Sequence, residues 1–370
     1  MKIAIEAQRI FRTNKHGMDF VALEMIRELQ KIDKTNEYFI LVSPGDDHCL
    51  EGSENMHIVE VKCPTYPLWE QWALPMAVRR IKPDLLHCTS NTAPLFCNVP
   101  LVVTLHDIIF LEKRQSASKS IYQNMGWYYR RFVVPRILPH CRKIITVSEF
   151  ERGRIEKALP ETRGKLVAIH NGYSNHFRPI ENSLEVTKKY IDSDRYLFFL
   201  GNTDPKKNTP NTLKAYAIYV SRTENPLPLL IADLNRTIVE NILKEENIEQ
   251  IKNNIFCPGY ISNRDLPYLY SGARVFLYTS LRESFGIPLL EAMACGTPVV
   301  TSSTSAIPEV AGEGAILTNP NDPEDIAAAI IRLESDNNYR ESQRSYGLER
   351  VKKFSWQNTA MKVLNLYKSI

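Results

Sequence analysis

Short apolar runs alternate with amphipathic stretches along the whole chain, an order typical of parallel β-sheets covered by helices. In the first half, the runs that predict strands are residues 2–7, 38–43, 57–61, 85–88, 101–106, 143–148 and 166–170. In the second half, they are residues 196–201, 227–232, 254–259, 275–279, 298–302 and 314–318. The pattern predicts an α/β protein with two Rossmann-like, doubly wound parallel sheets in series.

A polar stretch between the two series of strands marks a domain boundary. We expect an N-terminal domain over residues 1–178, a linker over 179–195 and a C-terminal domain over 196–353. We expect residues 354–370 to form a helix that packs back toward the N-terminal domain. Because ligands of open α/β sheets bind beyond the carboxyl ends of the strands, two such domains predict two substrates that meet in a cleft between them.

Composition narrows the class of protein. The 370 residues carry a net charge of +4, which is too small to predict nucleic-acid binding by the whole chain. No apolar run is long enough to cross a bilayer and the start of the chain does not resemble a secretion signal, so we expect a cytoplasmic protein. The seven scattered cysteines lack the spacing of a disulfide framework or a structural zinc site.

The most informative segment is residues 280–302, SLRESFGIPLLEAMACGTPVVTS, which predicts a loop, a short helix and the next strand. Pro288 suits the first turn of a helix and Gly296 suits a left-handed helix end, so we expect a helix over 287–295. Its free amides and its dipole would attract a diphosphate. The candidate residues at its start are consecutive: Ser284, Phe285, Gly286 and Ile287.

Two carboxylates flank this expected anion site. Glu283 lies in the loop and Glu291 in the helix, and acidic groups beside a phosphate are unfavourable unless they bind something else. Hydroxyl groups are the natural alternative, such as those of a ribose for Glu291 and those of a sugar for Glu283. From the spacing alone, two solvated surface carboxylates are an equally good interpretation.

The segment from Glu283 to Glu291 resembles the Glu-x7-Glu signature of the family 4 retaining glycosyltransferases, whose fold is GT-B, and the following A-C-G-T-P-V-V continues the match. The resemblance implies transfer of a sugar from a nucleoside diphosphate, of the GDP-mannose or UDP-hexose type, to a glycan or a lipid-linked acceptor of cell-surface polysaccharide or lipopolysaccharide synthesis. It implies that Glu291 binds the donor ribose and that Glu283 lies against the donor sugar as a catalytic residue. The nucleotide sugar is then a co-substrate, and no cofactor is expected.

The resemblance extends to the first loop of the second domain, FLGNTDPKKNTPNTLKAYA, where members hold the diphosphate with a basic pair. Lys207 matches the family lysine, which implies a catalytic role on the leaving group. Family members often have Arg where this chain has Asn202, after Gly201, so we take Lys206 as the second basic candidate. From composition alone, two lysines at a helix start also fit a solvated face.

The first domain is expected to hold the acceptor side. VVTLHDIIF resembles the family segment that places a histidine beside the donor sugar, which implies a catalytic role for His106 and an orienting role for Asp107. A histidine satisfied at a strand end is the alternative that the residues alone favour. Ser148 is expected to line the interdomain surface, and Gly17 is the single glycine where many members have a glycine-rich loop.

Base recognition and metal use are less clear in the sequence. Tyr260 lies in the segment that resembles the border of the nucleobase site, but the identity of the base cannot be read from it. Asp192-Ser193-Asp194 has the D-x-D pattern of metal-dependent transferases, yet it precedes a strand inside the polar linker. We interpret it as a turn and expect no metal site, because Lys207, backbone amides and the helix dipole can meet the charge of the diphosphate.

Rival functions are a nicotinamide-linked dehydrogenase, a sugar-nucleotide epimerase of the same fold and a non-catalytic partner in glycan assembly. The absence of G-x-G-x-x-G after the first strand of either sheet argues against the dehydrogenase. The carboxylate segment argues against the epimerase. The combination of His106, Lys207, Glu283 and Glu291 argues against a chain that has lost activity.

A last feature is the local charge of residues 111–143, where eight Lys or Arg residues accompany Glu112 alone. Aromatic residues are interleaved with them, including Trp127 and Tyr128. The segment fits weak peripheral contact with an anionic membrane. It also fits an ordinary helix with a solvated basic face.

Overall fold

A computed structural model describes residues 1–112 and 121–370, and within the range 121–123 it describes the backbone only. The chain divides into two compact units. We call Met1–Gly172 together with Trp356–Ile370 the N-terminal domain, and Tyr173–Ser355 the C-terminal domain.

The N-terminal domain is built on a seven-stranded parallel sheet with the order β3-β2-β1-β4-β5-β6-β7. Its strands are β1 (Lys2–Glu6), β2 (Glu37–Val42), β3 (Met56–Glu60), β4 (Leu85–Cys88), β5 (Leu101–Thr104), β6 (Lys143–Thr146) and β7 (Leu166–Ala168). The chain order reverses between β1 and β4, which is the topological switch point of a doubly wound sheet. Strands β4 and β5 are buried on both faces, as their continuous apolar sequences require.

Helices cover this sheet where the sequence shows amphipathic periodicity. They are α1 (Gly17–Ile32), α2 (Tyr66–Leu68), α3 (Leu74–Ile81), α4 (Ile121–Ile137) and α5 (Glu149–Ala158), with a π-helical segment, Trp69–Ala73, between α2 and α3. Short 3₁₀ turns lie at Ile109–Leu111, Leu138–His140 and Pro160–Thr162.

The C-terminal domain repeats the same plan with six parallel strands in the order β10-β9-β8-β11-β12-β13. Its strands are β8 (Leu197–Leu200), β9 (Leu229–Ala232), β10 (Ile255–Gly259), β11 (Val275–Tyr278), β12 (Val299–Ser302) and β13 (Ile316–Thr318). The switch point here lies between β8 and β11. The two doubly wound parallel sheets that the apolar pattern predicts are therefore confirmed.

The helices of the C-terminal domain pack on both faces of its sheet. They are α6 (Leu184–Thr187), α7 (Thr209–Arg222), α8 (Arg236–Glu245), α9 (Leu266–Gly272), α10 (Ile287–Ala294), α11 (Ile307–Ala311), α12 (Pro323–Ser335) and α13 (Asn337–Val351), with 3₁₀ turns at Pro205–Lys207 and Glu249–Asn254. Residues of the polar stretch that precedes β8 pack within this domain, since the Tyr190 hydroxyl donates to Asp265 Oδ2 at 2.6 Å.

The last helix, α14 (Trp356–Lys368), belongs to the N-terminal domain and packs against α1. Its buried face ends in Tyr367, whose hydroxyl lies 2.6 Å from Nδ1 of the buried His87. Thr359 Oγ1 donates to the His170 carbonyl oxygen at 2.7 Å. Within the described ranges, no helix has both the length and the apolar composition needed to span a bilayer.

Candidate functional site

The two loops that carry the predicted donor residues leave neighbouring strands at the switch point of the C-terminal sheet. One loop follows β8 and the other follows β11, so both begin at carboxyl ends of adjacent parallel strands. The backbone joins them, because the Leu281 amide donates to the Lys206 carbonyl oxygen at 2.7 Å. Open α/β sheets bind ligands in the crevice at this position.

Lys207 and Glu283 form an ion pair across these loops, with 2.6 Å between Lys207 Nζ and Glu283 Oε1. Their side chains keep 26% and 13% of their exposure. The same Nζ lies 5.8 Å from the centre of the Tyr278 ring at the end of β11. Burial raises the pKa of Tyr278, and the Glu283 carboxylate raises it further, so this tyrosine stays neutral beside the pair. The tertiary structure thus brings together two residues that lie 76 positions apart.

Lys206 lies in the same turn but has a different partner. Its Nζ lies 3.3 Å from Asp204 Oδ2, and the same aspartate accepts the Lys206 amide at 3.1 Å. Asn202 is exposed, and its side-chain oxygen accepts the Asp204 amide at 2.8 Å, so it shapes the turn. An added Cβ at Gly201 would lie 2.6 Å from a Leu234 methyl group, which explains why only glycine fits at the end of β8.

The start of α10 has the geometry that the sequence predicts. Gly286 precedes the helix at φ 101° and ψ 59°, and an added Cβ would lie 2.9 Å from Ile307 Cδ1. Both the backbone angle and the space therefore require glycine. Phe285 is buried edge-on against Phe354 at 5.9 Å, while Ser284 and Ile287 are half-buried. The helix runs over Ile287–Ala294 and Gly296 is left-handed at φ 76°, which confirms the predicted helix.

Glu291 lies in the second turn of α10 and is half-buried. The Tyr270 hydroxyl lies 3.4 Å from its Oε2, and burial raises the pKa of Glu291 to about 7. A carboxyl group at this pKa can accept hydroxyl donors as a carboxylate or donate as an acid near neutral pH. Tyr260, in the loop after β10, is 80% exposed.

His106, predicted as a catalytic residue, and the predicted acceptor-side residues lie in the N-terminal domain. His106 is 6% exposed, its amide donates to Asn91 Oδ1 at 2.6 Å, and its Nε2 lies 2.9 Å from the Thr89 carbonyl oxygen. A carbonyl can only accept, so Nε2 carries the proton, and burial lowers the pKa of His106 and keeps the ring neutral. Asp107 Oδ1 accepts the Ile109 amide at 3.0 Å.

The other two predicted acceptor-side residues, Ser148 and Gly17, both lie at the start of a helix. Ser148 is fully buried and caps α5, because its Oγ accepts the Glu151 amide at 3.2 Å. Gly17 is the exposed first residue of α1, and an added Cβ there would have no atom within 4 Å. Space alone therefore does not require a glycine at this position.

A cluster of buried polar side chains at the switch point of the N-terminal sheet was not predicted from the sequence. Glu6 and Glu70 are each 1% exposed. Glu6 ends β1 and accepts the amides of Gln8 at 3.0 Å and Thr89 at 3.1 Å. Four side chains donate to Glu70. They are Tyr66 at 2.7 Å, Gln71 at 2.9 Å, Tyr129 at 2.5 Å, and Thr92.

Burial shifts the titration of both acids in this cluster. Burial and, to a smaller extent, the nearby Glu70 raise the pKa of Glu6 to about 7, against the amide donors Gln8 and Thr89. Burial also raises the pKa of Glu70, against its hydroxyl and amide donors. The signal that could have revealed Glu6 is its position as a charged residue that ends the apolar run KIAIE. Nothing local distinguishes Glu70, whose partners Thr92 and Tyr129 lie far away in the chain.

The D-x-D pattern lies in the turn that precedes β8. In the described part of the chain, no three His, Cys, Asp or Glu side chains converge on a point that could hold a metal ion. Asp192 and Asp194 are exposed in the turn before β8, where Ser193 Oγ donates to the Arg195 carbonyl oxygen at 2.7 Å.

Comparison with solved structures identifies the fold. Sucrose-phosphate synthase from Thermosynechococcus elongatus matches 100% of this chain and 98% of its own, with a TM-score of 0.77 and 20% identity. HepE from Anabaena, solved in complex with UDP and glucose, matches 100% of both chains, with a TM-score of 0.71 and 17% identity. Two parallel-sheet α/β domains with these neighbours define the GT-B fold.

Sequence comparison identifies the family. The family model described as Glycosyltransferase Family 4 matches residues 16–175, and the one described as Glycosyl transferases group 1 matches residues 184–350. The chain belongs to the family 4 glycosyltransferases. It is 34% identical to O-antigen chain mannosyltransferase B of Escherichia coli over 241 residues, which are 62% of this chain and 61% of that protein. The match thus spans less than two thirds of the relative.

Proposed function

We propose that this chain is a retaining, metal-independent hexosyltransferase that transfers mannose or a related hexose from a nucleoside diphosphate. The proposed acceptor is a glycan or a lipid-linked precursor of a cell-surface polysaccharide or lipopolysaccharide. The observation that carries the proposal is the Lys207–Glu283 pair, held at 2.6 Å where β8 and β11 end. The mannosyltransferase relative supports the choice of sugar, and the UDP complex of the structural neighbour HepE supports a nucleotide ligand.

Donor binding follows from the loops that meet at this crevice. Lys207 and the amino end of α10 would bind the diphosphate, because the lysine and the helix dipole both supply positive charge to its oxygens. Glu291 would bind the ribose hydroxyls and Glu283 the transferred sugar. Tyr260, exposed after β10, is proposed to lie against the base.

The chemical step breaks the bond between the sugar carbon and the diphosphate oxygen. Negative charge develops on the leaving oxygen, and Lys207 with the helix amides would stabilise it in the transition state. Diphosphate oxygens would compete with Glu283 for Lys207 and free the carboxylate to hold the sugar or the acceptor. The acceptor hydroxyl oxygen then bonds to the sugar carbon from the face on which the diphosphate departs, and its proton passes to the departing diphosphate oxygen. Attack on that face retains the anomeric configuration.

The N-terminal domain is proposed to bind the acceptor at the carboxyl ends of β1, β4 and β5. His106 lies two residues beyond β5 as a neutral ring, and Asp107 holds the following turn. A neutral, hydrogen-bonding surface of this kind suits the hydroxyl groups of a glycan.

The direct test is a thermal-unfolding screen against GDP-mannose, UDP-glucose and related nucleotide sugars. A donor at one hundred times its Kd should stabilise the protein by roughly 2.7 kcal/mol. We expect Glu291→Ala to weaken this binding by roughly 2 to 4 kcal/mol, because a charged acceptor loses two hydroxyl donors. Unchanged nucleotide affinity in that variant would contradict the ribose assignment. Epimerised nucleotide sugar in the absence of acceptor would instead identify an epimerase.

Metal independence has its own test. We expect transfer activity to survive excess EDTA, since Lys207 and backbone amides are proposed to meet the charge of the diphosphate. Loss of activity with EDTA and recovery with Mn²⁺ would contradict this expectation. Product anomer analysis by NMR tests retention separately.

The proposed location is the cytoplasm, with weak attachment to the inner face of the membrane. All seven cysteines are free thiols, which is typical of a reducing compartment. The exposed face of α4 carries Met125, Tyr128 and Phe132, which are 63%, 63% and 52% exposed, and Arg136 lies over the Phe132 ring at 3.9 Å. Residues 113–120 of the basic segment lie outside the described residues.

Liposome co-sedimentation tests this attachment. We expect binding to anionic but not neutral vesicles, reversed by moderate salt, because each exposed cation contributes about 1 kcal/mol near an anionic surface. Met125→Glu with Tyr128→Glu should abolish it without loss of folding, since both side chains are exposed. Tyr346→Glu, at the 51% exposed Tyr346 of α13, is the matched control. Binding that survives the double substitution would assign the face to solubility alone.

A further inference from the structure

A second basic pocket lies in the C-terminal domain, at the amino ends of the strands β11 and β12, whereas the proposed donor crevice lies at the carboxyl ends. Arg274 directly precedes β11, and the loop that carries Glu283 follows β11. The strand between them has four residues and is roughly 13 Å long. The pocket is a cleft of about 180 Å³. Its polar lining includes Arg274, Arg340, Arg344, Ser271, Glu181 and Glu341.

Two guanidinium groups in this pocket share one neutral oxygen. Arg274 Nη2 donates to Asn337 Oδ1 at 2.9 Å, and Arg340 Nη2 donates to the same atom at 2.6 Å. Like charges held this close repel each other, and an amide oxygen carries no charge to offset the repulsion. The pKa of Arg274 is lowered to about 10, mainly by burial and next by the charges of Arg340 and Arg195. Burial also lowers the pKa of Arg340.

Ordinary structural roles account for two of the three arginines. Arg340 is 6% exposed and donates to the Leu333 carbonyl oxygen at 3.1 Å, near the carboxyl end of α12. Arg344 Nη1 lies 3.6 Å from Glu341 Oε2. Cations are stabilised at both kinds of position.

Arg274 has no such explanation. Among the described residues no carboxylate lies within ion-pair distance of it, and its Nε is buried without a hydrogen-bond partner. The acidic residue of the pocket, Glu341, instead lies 3.6 Å from Arg344 Nη1 and 4.0 Å from Arg340 Nε. Glu334 and Glu341 raise the pKa of Arg274, but less than burial and the neighbouring arginines lower it. The pocket thus contains a partly buried cation that no carboxylate contacts directly.

We propose that this pocket binds the phosphate group of a small phosphorylated molecule, with Arg274 and Arg344 as its main ligands. Guanidinium groups bind phosphate oxygens in pairs, which makes a phosphate the best match for clustered arginines. The cleft is smaller than the roughly 300–1,000 Å³ of sites for drug-sized ligands, so a whole nucleotide does not fit. Glu181 and Glu341 on the lining favour a ligand that also carries hydroxyl groups and disfavour a polyanion.

The test measures the midpoint of thermal unfolding during titration with inorganic phosphate, at ionic strength held constant with chloride. We expect the midpoint of the wild-type protein to rise by at least about 2 °C, and that of Arg274→Gln to stay unchanged. Lys207→Gln, in the proposed donor site, should keep the rise. Arg344→Gln should weaken it, and this variant is expected to fold because the Arg344 side chain is 45% exposed.

Other outcomes would overturn the proposal. If phosphate has no more effect than chloride, the pocket does not bind phosphate. If Lys207→Gln loses the rise while Arg274→Gln keeps it, the phosphate binds elsewhere.

Glycerol 3-phosphate and vesicles that contain phosphatidate distinguish the source of the phosphate. Stabilisation by the first that requires Arg274 assigns a soluble phosphate ester, whereas vesicle binding that requires Arg274 assigns a lipid headgroup.

Discussion

Each domain has a crevice at the switch point of its sheet, but the two crevices are lined in opposite ways. In the C-terminal domain, Lys207 and Glu283 form an ion pair that stays partly open to solvent. In the N-terminal domain, Glu6 and Glu70 are each 1% exposed and bind only neutral donors among the contacts described above.

The difference teaches how one fold prepares two kinds of binding surface. A partly buried ion pair that solvent still reaches can exchange its partner for a charged ligand, because each group gains a new charged partner or water in the exchange. A buried acid held by several neutral donors cannot change partners without leaving some of them unsatisfied. The first arrangement supports the proposed diphosphate site, and the second gives a rigid frame to the proposed acceptor surface.

The largest expected effect concerns the ion pair. We expect Lys207→Met to lower kcat/KM for transfer by roughly 10² to 10³, because the leaving group loses a preorganised cation. Lys206→Met is the matched control and should change kcat/KM by less than about tenfold, since Lys206 pairs with Asp204 in its own turn. Steady-state kinetics with a labelled donor measures both variants. Equal losses would mean that the two lysines share the diphosphate.

The next effect tests the rigidity of the N-terminal cluster. Glu70→Gln should lower the free energy of unfolding by roughly 2 to 4 kcal/mol, because the new amide group faces donors that need an acceptor. The same substitution in the other crevice, Glu283→Gln, should cost clearly less than Glu70→Gln, because Glu283 has one charged partner and both members of that pair keep contact with solvent. Urea denaturation of both variants gives the comparison. A similar cost at both positions would remove the distinction between the crevices.

A smaller effect concerns the pH dependence of stability. The pKa of Glu6 is about 7 in the folded protein and about 4.5 unfolded, so its contribution to stability falls as pH rises through this window. Between pH 5 and pH 7.5 the loss should be about 2 kcal/mol. The destabilisation caused by Glu6→Gln should therefore shrink by that amount over the same range. Denaturation curves for both proteins at the two pH values test this, and a constant difference would contradict the raised pKa.

The smallest effect returns to the proposed donor site. Glu291 has a pKa of about 7, and only its carboxylate can accept both ribose hydroxyls, so nucleotide affinity should rise with pH. We expect the Kd to improve about tenfold from pH 6 to pH 8. Calorimetry at the two pH values measures this change. In Glu291→Gln, the Kd should keep only the pH dependence that the phosphate groups of the nucleotide contribute. If the pH dependence of the Kd is the same in this variant as in the wild-type protein, Glu291 is not its source.

Local patterns were sufficient for the elements that form the crevices. The apolar run at 275–279 predicts β11, which is observed over Val275–Tyr278, and Pro288 and Gly296 predict both ends of α10. The run at 101–106 predicts a longer strand than the observed Leu101–Thr104. The strand ends early because the His106 amide donates to the Asn91 side chain instead of to the sheet. Similarly, the run at 143–148 ends as a strand at Thr146, since Ser148 caps α5.

The partners of the charged residues could not be read in the same way. Lys206 and Lys207 are adjacent and chemically identical, yet one pairs with Asp204 and the other with Glu283. Glu70 binds Tyr129 from 59 positions away, and Arg274 meets Arg340 through Asn337. Hydrophobic periodicity and helix ends depend on neighbours within a turn or two, so the sequence by itself determined the two sheets and the start of α10. Pairing, burial and the resulting pKa shifts depend on which distant side chains share a volume, and only the tertiary structure decided those.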